Sequence, residues 1–574
     1  MRETIRRIID DAVALARSDG TLDVGESDIV VEIERPRDPS FGEYSTNVAM
    51  RLAKAAKTEP RRLAEALVER MEQGDVLESI EVAGPGFINF RLSSDALRGV
   101  VARIREAPQR YGRSSILSGQ RVQVEFVSAN PVGPLHVGHG RWAALGDAIA
   151  RLLEAAGAEV EREFYINDAG VQMEIFSKSV AARYLELCGH DVEFAEDWYQ
   201  GAYIADIARE IFEEEGDAWA DADPVRREEH FREKAYAQVL DHLRRVLHEF
   251  GVDFDVWFSE RTLHQAGPDG EPSKIEAAIE YLRAAGHVYE ADGAVWFKSS
   301  AWGDDKDRVL RKADGSYTYF AADIAYHKDK FDRGFDLVID LWGADHHGYV
   351  KRMEAAVAAL GHEGGLEVVI GQLVNLFRAG EAVRMSKRTG EMVTFEELID
   401  EVGRDAARYF FLRRSTDQPL DFDIALATEQ SSDNPVYYVQ YAHARICSIL
   451  RKAAGFETDA EVGLTEVLES LTSSGMLADA ADLAALGHDA ELDLARKLEE
   501  YPEAVERAAL GRAPHRLTRY AEDLAAAFHQ FYTQCRVVGD DETVTRARLS
   551  LAEAARAVLA DALGLLGVSA PERM

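Results

Sequence analysis

Cysteine and long hydrophobic runs are scarce in this sequence of 574 residues, and each absence narrows the class of protein. The three cysteines, Cys188, Cys447 and Cys535, lie far apart and form no CxxC pair. This pattern argues against a disulfide framework or a thiolate zinc site and fits a reducing cytoplasm. No uncharged apolar run approaches the ~20 residues that a membrane-spanning helix needs, and the charged N-terminal stretch lacks the apolar core of a signal peptide. We therefore expect a cytoplasmic protein without a membrane segment.

Positive charge is also in short supply. Lysine and arginine number 66 against 102 acidic residues, which gives a formal net charge of −36. A nucleic-acid binder usually has a basic surface, but net charge bears on solubility and nonspecific binding rather than on fold. A local basic groove on an acidic protein, adaptation to salt, and a GC-rich source all remain compatible with this composition.

The length favours three or four domains. Residues 1–115 combine a helix, a strand at 29–33 and a hairpin around GPGFINFRL (84–92), which predicts a small α/β module. From 404 to 574 the pattern is almost wholly helical and predicts a bundle. Between them, residues 116–403 alternate strands and helices, which is typical of an α/β fold with a doubly wound parallel sheet (Rossmann-like).

Within that central part, residues of about 171–330 are predicted to form a connective insert between the two halves of the sheet. Its segments 286–297 and 312–327 are predicted to be rich in β-structure, and 366–376 is predicted to be one strand. The turns that carry polar residues follow predicted strands. Ligands of such sheets bind at the carboxyl ends of the strands near the topological switch, so we expect the site there.

The stretch RVQVEFVSANPVGPLHVGHG (121–140) runs from an alternating strand through a Pro/Gly turn into a helix with leucines and isoleucine at helical spacing. The exposed N–H groups and the dipole at the helix N-terminus favour an anion at the turn. His136 and His139 add hydrogen-bond donors for phosphate oxygens, and Gly138 between them removes a side chain where a flat base could lie. The alternative is a surface turn with incidental histidines.

The loop AGEAVRMSKRTG (379–390) offers Lys387 between Arg384 and Arg388. A lysine on a flexible stem is suited to following phosphate charge as it develops in a reaction. A solvated basic loop is the other interpretation.

Two further stretches have more than one interpretation. The helix in NPVYYVQYAHAR (434–445) places Tyr437, Gln440 and Tyr441 together, and aromatic side chains either stack on splayed RNA bases or pack in a bundle core. The run Asp345-His346-His347 lacks a neighbouring ligand cluster, so we expect pocket residues rather than a metal site, with structural histidines as the alternative.

SANPVGPLHVGHGR resembles the HIGH motif of class I aminoacyl-tRNA synthetases, in the form found in arginyl-tRNA synthetases. VRMSKRTG resembles their KMSKS loop, although Arg384 replaces the first lysine and Arg388 the last serine. The N-terminal hairpin, the aromatic helix and the ending GVSAPERM are similar to parts of the same family. The resemblance therefore extends over essentially the whole chain.

The resemblance implies a role for each matching residue. Glu125 and Asp323 would grip a guanidinium, for which planar carboxylates are suited acceptors, although an aspartate such as Asp323 also occurs as a helix cap or turn residue. The full set of residues that the resemblance implies is the following: for catalysis His136, His139 and Lys387; for ATP Pro134, Leu135, His136, Gly138, His139, Met385, Ser386 and Lys387; for arginine Glu125, Ser128, Asn130, Tyr319, Asp323 and His347; for tRNA Asn47, Phe87, Asn89, Tyr437, Gln440 and Tyr441.

The activity that the resemblance implies is ATP-dependent joining of arginine to tRNA(Arg) by a monomer. Mg²⁺ would arrive with ATP, and no metal would be held by dedicated protein ligands. Residues 1–115 would contact the tRNA elbow and 404–574 the anticodon. Two alternatives are another nucleotidyltransferase with an HxGH motif and a noncatalytic tRNA-binding paralogue.

Overall fold

A computed structural model describes residues 1–22, 31–267, 270–383, 393–457 and 461–574. The first part of the chain folds as helices around a three-stranded antiparallel sheet with the order β1-β3-β2. Its elements are α1 (Arg2–Ser18), β1 (Tyr44–Thr46), α2 (Val48–Ala53), α3 (Pro60–Val68), β2 (Leu77–Ala83), β3 (Phe87–Leu92) and α4 (Ser94–Glu106). The hairpin predicted around residues 84–92 is confirmed.

The middle of the chain alternates strands and helices. Its elements are β4 (Arg121–Glu125), α5 (Val137–Ala155), β5 (Glu159–Ile166), α6 (Val171–Leu187), α7 (Ala202–Glu215), α8 (Pro224–Glu249), β6 (Val256–Ser259), α9 (Arg261–His264), α10 (Lys274–Ala284), β7 (Val288–Ala291), β8 (Ala294–Phe297), β9 (Arg308–Arg311), α11 (Tyr319–Asp332), β10 (Leu337–Gly343), α12 (Val350–Ala359), β11 (Leu366–Gly371), β12 (Val374–Arg378) and β13 (Glu381–Ala382). A 3₁₀ turn, Ala344–Tyr349, joins β10 to α12.

The last part of the chain is helical apart from one short strand. Its elements are α13 (Phe395–Val402), α14 (Arg404–Leu412), β14 (Leu420–Asp423), α15 (Ile424–Thr428), α16 (Pro435–Ala453), α17 (Leu464–Ser473), α18 (Asp489–Glu499), α19 (Tyr501–Leu510), α20 (Pro514–Gln534) and α21 (Glu542–Leu565). No helix in the described ranges is long and apolar enough to cross a membrane.

The central sheet is parallel throughout, with the strand order β11-β10-β4-β5-β6. The chain moves outward in one direction from β4 to β6 and in the other from β10 to β11, so the topological switch lies between β4 and β10. The doubly wound α/β fold predicted from the sequence is therefore confirmed. Strand β6 lies inside the range 171–330 predicted as an insert, yet it pairs with β5 in this sheet. The division of the chain at 115 and 403 stays a prediction.

Helix α5 forms because nearly every turn of it is apolar and buried. Leu145, Ile149 and Leu152 are all at most 1% exposed, which is expected of a helix covered on several sides rather than an amphipathic surface helix. Gly146 lets the Phe126 ring approach, since a Cβ there would lie 2.0 Å from that ring. The helix is thereby held tightly against the end of β4.

Three local predictions were wrong. Residues 319–327, predicted as β-rich, begin helix α11, because Thr318 caps it by accepting a hydrogen bond from the Ala321 N–H at 3.3 Å. The stretch 366–376 is not one strand but β11 and the start of β12, which belong to different sheets. Residues 31–33 are not in a strand, although Glu34 forms an isolated bridge with Ser45; residues 29 and 30 lie outside the described ranges.

Buried charged and polar side chains join the N-terminal module to the helical C-terminal part. The Arg35 guanidinium donates to Glu503 Oε2 at 2.7 Å and to Glu499 Oε2 at 2.6 Å, and the Tyr44 hydroxyl donates to Glu499 Oε1 at 2.6 Å. These side chains are mostly buried. The N-terminal module therefore packs against helices α18 and α19.

The C-terminal residues are held against α16. The buried His443 ring donates from Nδ1 to the Pro571 carbonyl oxygen at 2.9 Å, and the Arg451 guanidinium donates to the Glu572 carbonyl oxygen at 2.9 Å. Burial lowers the pKa of His443 to about 4. His443 therefore stays neutral in the folded protein under conditions in which an unfolded chain would protonate it.

This difference predicts a loss of stability in mild acid. Below pH 6.5, the approximate pKa of His443 in the unfolded chain, the unfolded chain binds a proton that the folded chain does not bind. The free energy of unfolding therefore decreases as the pH is lowered, until the pH reaches about the pKa of His443 in the folded protein. Between pH 7 and 5 the contribution of His443 is on the order of 2 kcal/mol. Urea unfolding at both pH values should show a smaller pH difference for His443→Gln than for wild type. The exposed His190→Gln serves as the control, and an equal pH difference in all three proteins would contradict the account.

Candidate active site

A cavity lies at the carboxyl ends of β4 and β10, where the strand order switches. Its volume is about 810 Å³. Six residues predicted from the sequence line it together: Glu125, Ser128, His136, Gly138, His139 and Asp323. Residues separated by almost 200 positions thus meet at the edge of the sheet where ligands of such folds bind.

The two histidines of the HxGH motif stack at the N-terminus of α5. Their ring centroids lie 3.7 Å apart, with an angle of 20° between the planes. The His136 backbone N–H donates to His139 Nδ1 at 3.2 Å, so a neutral His139 ring carries its proton on Nε2. A Cβ at Gly138 would lie 2.9 Å from the His136 ring. Glycine is therefore needed for this ring position, and the rings stand at the positive end of the helix dipole.

The chain reverses sharply between β4 and this motif. Val127 and Ser128 have φ of 70° and 39°, and the Ser128 N–H donates to the Phe126 carbonyl oxygen at 3.0 Å in a γ-turn. Positive φ is uncommon for a residue other than glycine and is an outlier for a β-branched one. Such strain concentrates at functional sites. Here the turn brings Ser128 Oγ to the Tyr165 N–H, from which it accepts at 3.1 Å.

Three buried carboxylates stand side by side on the sheet beneath α11; we call Asp340, Glu125 and Glu163 the acid row. They occupy facing positions on β10, β4 and β5 and are 1%, 8% and 0% exposed. Lys330 Nζ donates to Glu125 Oε2 at 2.5 Å and to Asp340 Oδ1 at 2.9 Å. Buried charges persist only when they are paired, so α11 must supply the balancing cations.

Two more partners of the acid row come from this helix and from Arg333, its C-terminal capping residue. The Arg333 guanidinium donates to Glu163 Oε2 at 2.6 Å, and His327 Nε2 contacts Asp340 Oδ2 at 2.9 Å. His327 Nδ1 contacts the Asp323 carbonyl oxygen at 2.8 Å, so a doubly protonated ring satisfies both acceptors. Burial would raise the pKa of Asp340, but Lys330 and His327 outweigh it and lower that pKa to about 2.

Asp323 and Glu125 both line the cavity, as do Asp340 and Asp345. Asp323 Oδ2 accepts a hydrogen bond from the Tyr349 hydroxyl, and Glu125 Oε2 accepts from Lys330. Within the described residues, neither Asp323 Oδ1 nor Glu125 Oε1 has a hydrogen-bond donor. Burial raises the pKa of the Asp323 carboxyl. A cationic ligand with planar N–H donors would satisfy both oxygens and stabilise both carboxylates.

Five of the predicted residues do not line the cavity: Pro134, Leu135, Asn130, Tyr319 and His347. Leu135 is buried at 3% exposure, and Asn130 Nδ2 donates to the Gln172 side-chain oxygen. Tyr319 is 73% exposed. His347 is exposed, whereas its neighbour His346 lines the cavity. Motif matching therefore did not distinguish between the two adjacent histidines.

The predicted loop residues Met385, Ser386 and Lys387 lie outside the described residues, as do Arg384 and Arg388. The chain that follows them returns to the HxGH motif. Thr394 forms an isolated bridge with His136, and the Phe395 N–H donates to the Leu135 carbonyl oxygen at 2.9 Å. A Cβ at Gly140 would lie 2.3 Å from the Phe395 ring. This close packing holds Thr394 and Phe395 against the HxGH motif.

The residues predicted to contact RNA lie in two separate places. In the N-terminal module, Phe87 is 39% exposed, Asn89 is 7% exposed, and Asn47 Nδ2 donates to Glu32 Oε2 at 3.4 Å.

On α16, the Tyr437 and Tyr441 rings stack at 5.9 Å and remain partly exposed. Gln440 is buried at 8% exposure, and its Nε2 donates to Asp405 Oδ2 at 2.8 Å and to the Ser569 carbonyl oxygen at 2.9 Å. Helix α16 therefore carries a partly exposed pair of aromatic rings, whereas its Gln440 side chain is bonded within the fold.

Sequence reasoning missed Lys330, Asp340 and Tyr349. The signal for Lys330 was present, because Asp323, His327 and Lys330 recur at the i, i+4, i+7 spacing of one helix face. Predicting β-structure for residues 312–327 concealed that face. Asp340 lies in an apolar strand, where a single buried acid indicates a paired partner but does not identify it.

Metal ligands are not clustered in the part of the chain that the structure describes: no group of three or more His, Cys, Asp or Glu side chains there is arranged to hold an ion. The three cysteines are free, and Cys447 and Cys535 are buried.

Comparison with known proteins agrees with the parallel sheet and its cavity. Residues 105–428 match the family model "tRNA synthetases class I (R), catalytic domain". Residues 2–92 match "Arginyl tRNA synthetase N terminal domain", and residues 439–574 match "DALR anticodon binding domain". The fold is thus that of a class I aminoacyl-tRNA synthetase.

Full-length relatives narrow the family further. The arginine–tRNA ligase of Heliobacterium modesticaldum is 50% identical over 577 residues, covering 100% of this chain and 99% of that protein. The arginine–tRNA ligase of Bacillus subtilis is 49% identical, and the aligned region covers 95% of this chain and 94% of the Bacillus protein. The chain belongs to the arginyl-tRNA synthetase family. The solved Thermus thermophilus arginyl-tRNA synthetase shares the fold, with a TM-score of 0.74 at 24% identity over 100% of both chains.

Removing the Lys330 ammonium group, which α11 contributes to the acid row, should destabilise the protein. Lys330→Met would leave Glu125 and Asp340 buried without their ammonium partner, and breaking a buried pair in this way costs about 3–5 kcal/mol. Lys328→Met is the matched control, because Lys328 lies on the same helix and pairs with Asp332 near the surface at 2.7 Å. Surface pairs contribute about 0–1 kcal/mol. Urea unfolding compares the two variants, and equal stabilities would contradict the account.

Proposed function

We propose that this chain activates L-arginine with ATP and transfers it to tRNA(Arg). The observation that carries this proposal is the pair of carboxylates at the cavity, Asp323 and Glu125, each with one oxygen bound by a protein donor. A guanidinium presents N–H donors in a planar fork and can satisfy both remaining oxygens at once. Membership of the arginyl-tRNA synthetase family supports the same substrate.

In the first step an oxygen of the arginine carboxylate attacks the α-phosphorus of ATP. A new P–O bond forms as the bond to pyrophosphate breaks, leaving arginyl-adenylate. His136 and His139 stand at the N-terminus of α5, where N–H donors and the helix dipole favour phosphate oxygens. Chemistry of this kind depends on positioning and charge stabilisation more than on covalent catalysis by the protein.

In the second step the terminal 2′-hydroxyl of tRNA attacks the carbonyl carbon of the adenylate. An ester bond to the ribose forms, and AMP leaves with the electrons of the broken C–O bond. Aromatic side chains on α16 would receive splayed anticodon bases. The partly exposed stack of Tyr437 and Tyr441 supports that role, and the exposed Phe87 supports an elbow contact in the N-terminal module.

The remaining assignments are part of the same proposal. ATP would contact Pro134, Leu135, His136, Gly138, His139, Met385, Ser386 and Lys387, and would bring Mg²⁺ with it as substrate. Arginine would contact Glu125, Ser128, Asn130, Tyr319, Asp323 and His347. Lys387 would stabilise the charge that develops on the phosphate, and the tRNA would contact Asn47, Phe87, Asn89, Tyr437, Gln440 and Tyr441. We further propose a monomer that works in the cytoplasm.

Asp323→Asn tests the arginine site. The variant removes a charge-assisted contact worth roughly 1.5–3 kcal/mol, so KM for arginine should rise at least tenfold, which is about 1.4 kcal/mol. KM for ATP should change little. Discrimination against citrulline, whose ureido group is uncharged, should narrow.

Steady-state tRNA charging with arginine and citrulline measures these effects. Asp332→Asn, on the same helix and paired with Lys328 near the surface, is the control. Unaltered arginine use in Asp323→Asn would mean that the guanidinium binds elsewhere. If wild type charges no tRNA with arginine, the proposed function itself fails.

Tyr441→Ala tests the tRNA surface. Loss of the stack with Tyr437 should weaken tRNA binding by about 1–3 kcal/mol for each base that stacks there, and KM for tRNA should rise accordingly. KM for ATP and KM for arginine should stay constant, because these substrates bind in another domain. Gln440→Ala should in addition lower the melting temperature, because Gln440 bonds Asp405 and Ser569. A folded Tyr441→Ala protein with wild-type charging at limiting tRNA would assign the stack to packing alone.

A further inference from the structure

Tyr349 connects the turn after β10 to the arginine cavity. It ends the 3₁₀ turn Ala344–Tyr349 and lines the cavity. Its hydroxyl donates to Asp323 Oδ2. Nothing in the sequence motif that contains Tyr349 assigns it a role in the reaction.

The Tyr349 ring is held on three sides. The Phe320 and Trp342 rings each lie 6.0 Å from it between centroids, and the Arg352 guanidinium lies 4.7 Å above it. A ring wedged in this way directs its hydroxyl to one place. Tyr349 is also a permanent donor, because burial and the negative charge of Asp323 raise the pKa of its hydroxyl.

The hydroxyl has two consequences for Asp323. By donating to Oδ2 it fixes the rotation of the carboxylate and leaves Oδ1 without a donor among the described residues. By donating to the carboxylate it favours the ionised form, which opposes the effect of burial on the Asp323 pKa. An arginine side chain would therefore meet one charged and already oriented oxygen on Asp323, together with the remaining oxygen of Glu125 in the same cavity.

We propose that Tyr349 is a positioning and specificity residue for arginine, acting through Asp323. The proposal rests on the proposed function and adds to it a residue that touches the acid rather than the substrate. A donor of this kind matters for selecting a cation, because a neutral, rotating carboxyl group would discriminate poorly between arginine and uncharged analogues.

Other charged and titratable groups also face Asp323, and they set the background for a pH test. They are His327 on the same helix, His346 in the turn, Asp340 on β10, Glu260 after β6, and Tyr165 on β5. Substitution of Tyr349 by phenylalanine leaves all five in place. A change in the pH profile therefore reports the loss of the hydroxyl.

Tyr349→Phe tests the proposal with little risk to the fold, since only one oxygen atom is removed. KM for arginine should rise by about fivefold to tenfold, with kcat and KM for ATP within about twofold of wild type. The acid limb of kcat/KM for arginine should move to higher pH by about half a unit or more, because Asp323 loses a donor that favours its charged form. Relative charging with citrulline should increase.

Tyr317→Phe is the matched control, because its hydroxyl also donates to a carboxylate, Glu276 Oε1 at 3.1 Å, but outside the cavity. It should leave all five quantities unchanged. If Tyr349→Phe matches wild type in arginine KM and in pH profile, the proposal is wrong while the proposed function stands. A purely structural role would instead appear as a lower melting temperature with arginine and ATP affected alike. Failure of wild type to charge arginine would overturn the proposed function separately.

Discussion

The ion pairs between the acid row and helix α11 are the constraint on which the rest of the site depends. Three parallel strands each place a carboxylate at facing positions on the sheet, and such a concentration of buried negative charge persists only beside cations. Lys330 near the end of α11 and Arg333 directly after it supply them. Since Asp323 lies on α11, the pairs that hold this helix on the sheet also place at the cavity the acid that we propose binds arginine.

This arrangement separates two kinds of acid. Asp340 is bound by Lys330 and His327, and Glu163 by Arg333 and the Tyr326 hydroxyl, so these two acids keep α11 in register. Glu125, in the middle of the row, and Asp323, on α11 itself, each retain an oxygen without a donor among the described residues. The gradient from paired to partly unpaired carboxylates explains how one strongly acidic interior can both be stable and remain able to take up a guanidinium.

Much of this could be predicted from the sequence, and the failures have physical causes. The alternation in 121–126 and the apolar periodicity that follows are local signals, so β4, the turn and α5 were predicted correctly. Helix α11 was missed because Tyr, Phe and Ile in residues 319–327 favour strands locally, whereas packing on the acid row and the Thr318 cap favour a helix. Pairings such as Lys330 with Asp340, or Tyr349 with Asp323, require the tertiary fold.

The central claim is that Asp323 and Glu125 share the guanidinium of arginine, and a crystal structure of the arginine complex tests it most directly. The account predicts guanidinium nitrogens about 2.7–3.0 Å from Asp323 Oδ1 and from Glu125 Oε1, with the Tyr349 hydroxyl still on Asp323 Oδ2. Arginine bound with its guanidinium away from both carboxylates, or bonded to Asp323 through the oxygen now held by Tyr349, would contradict it.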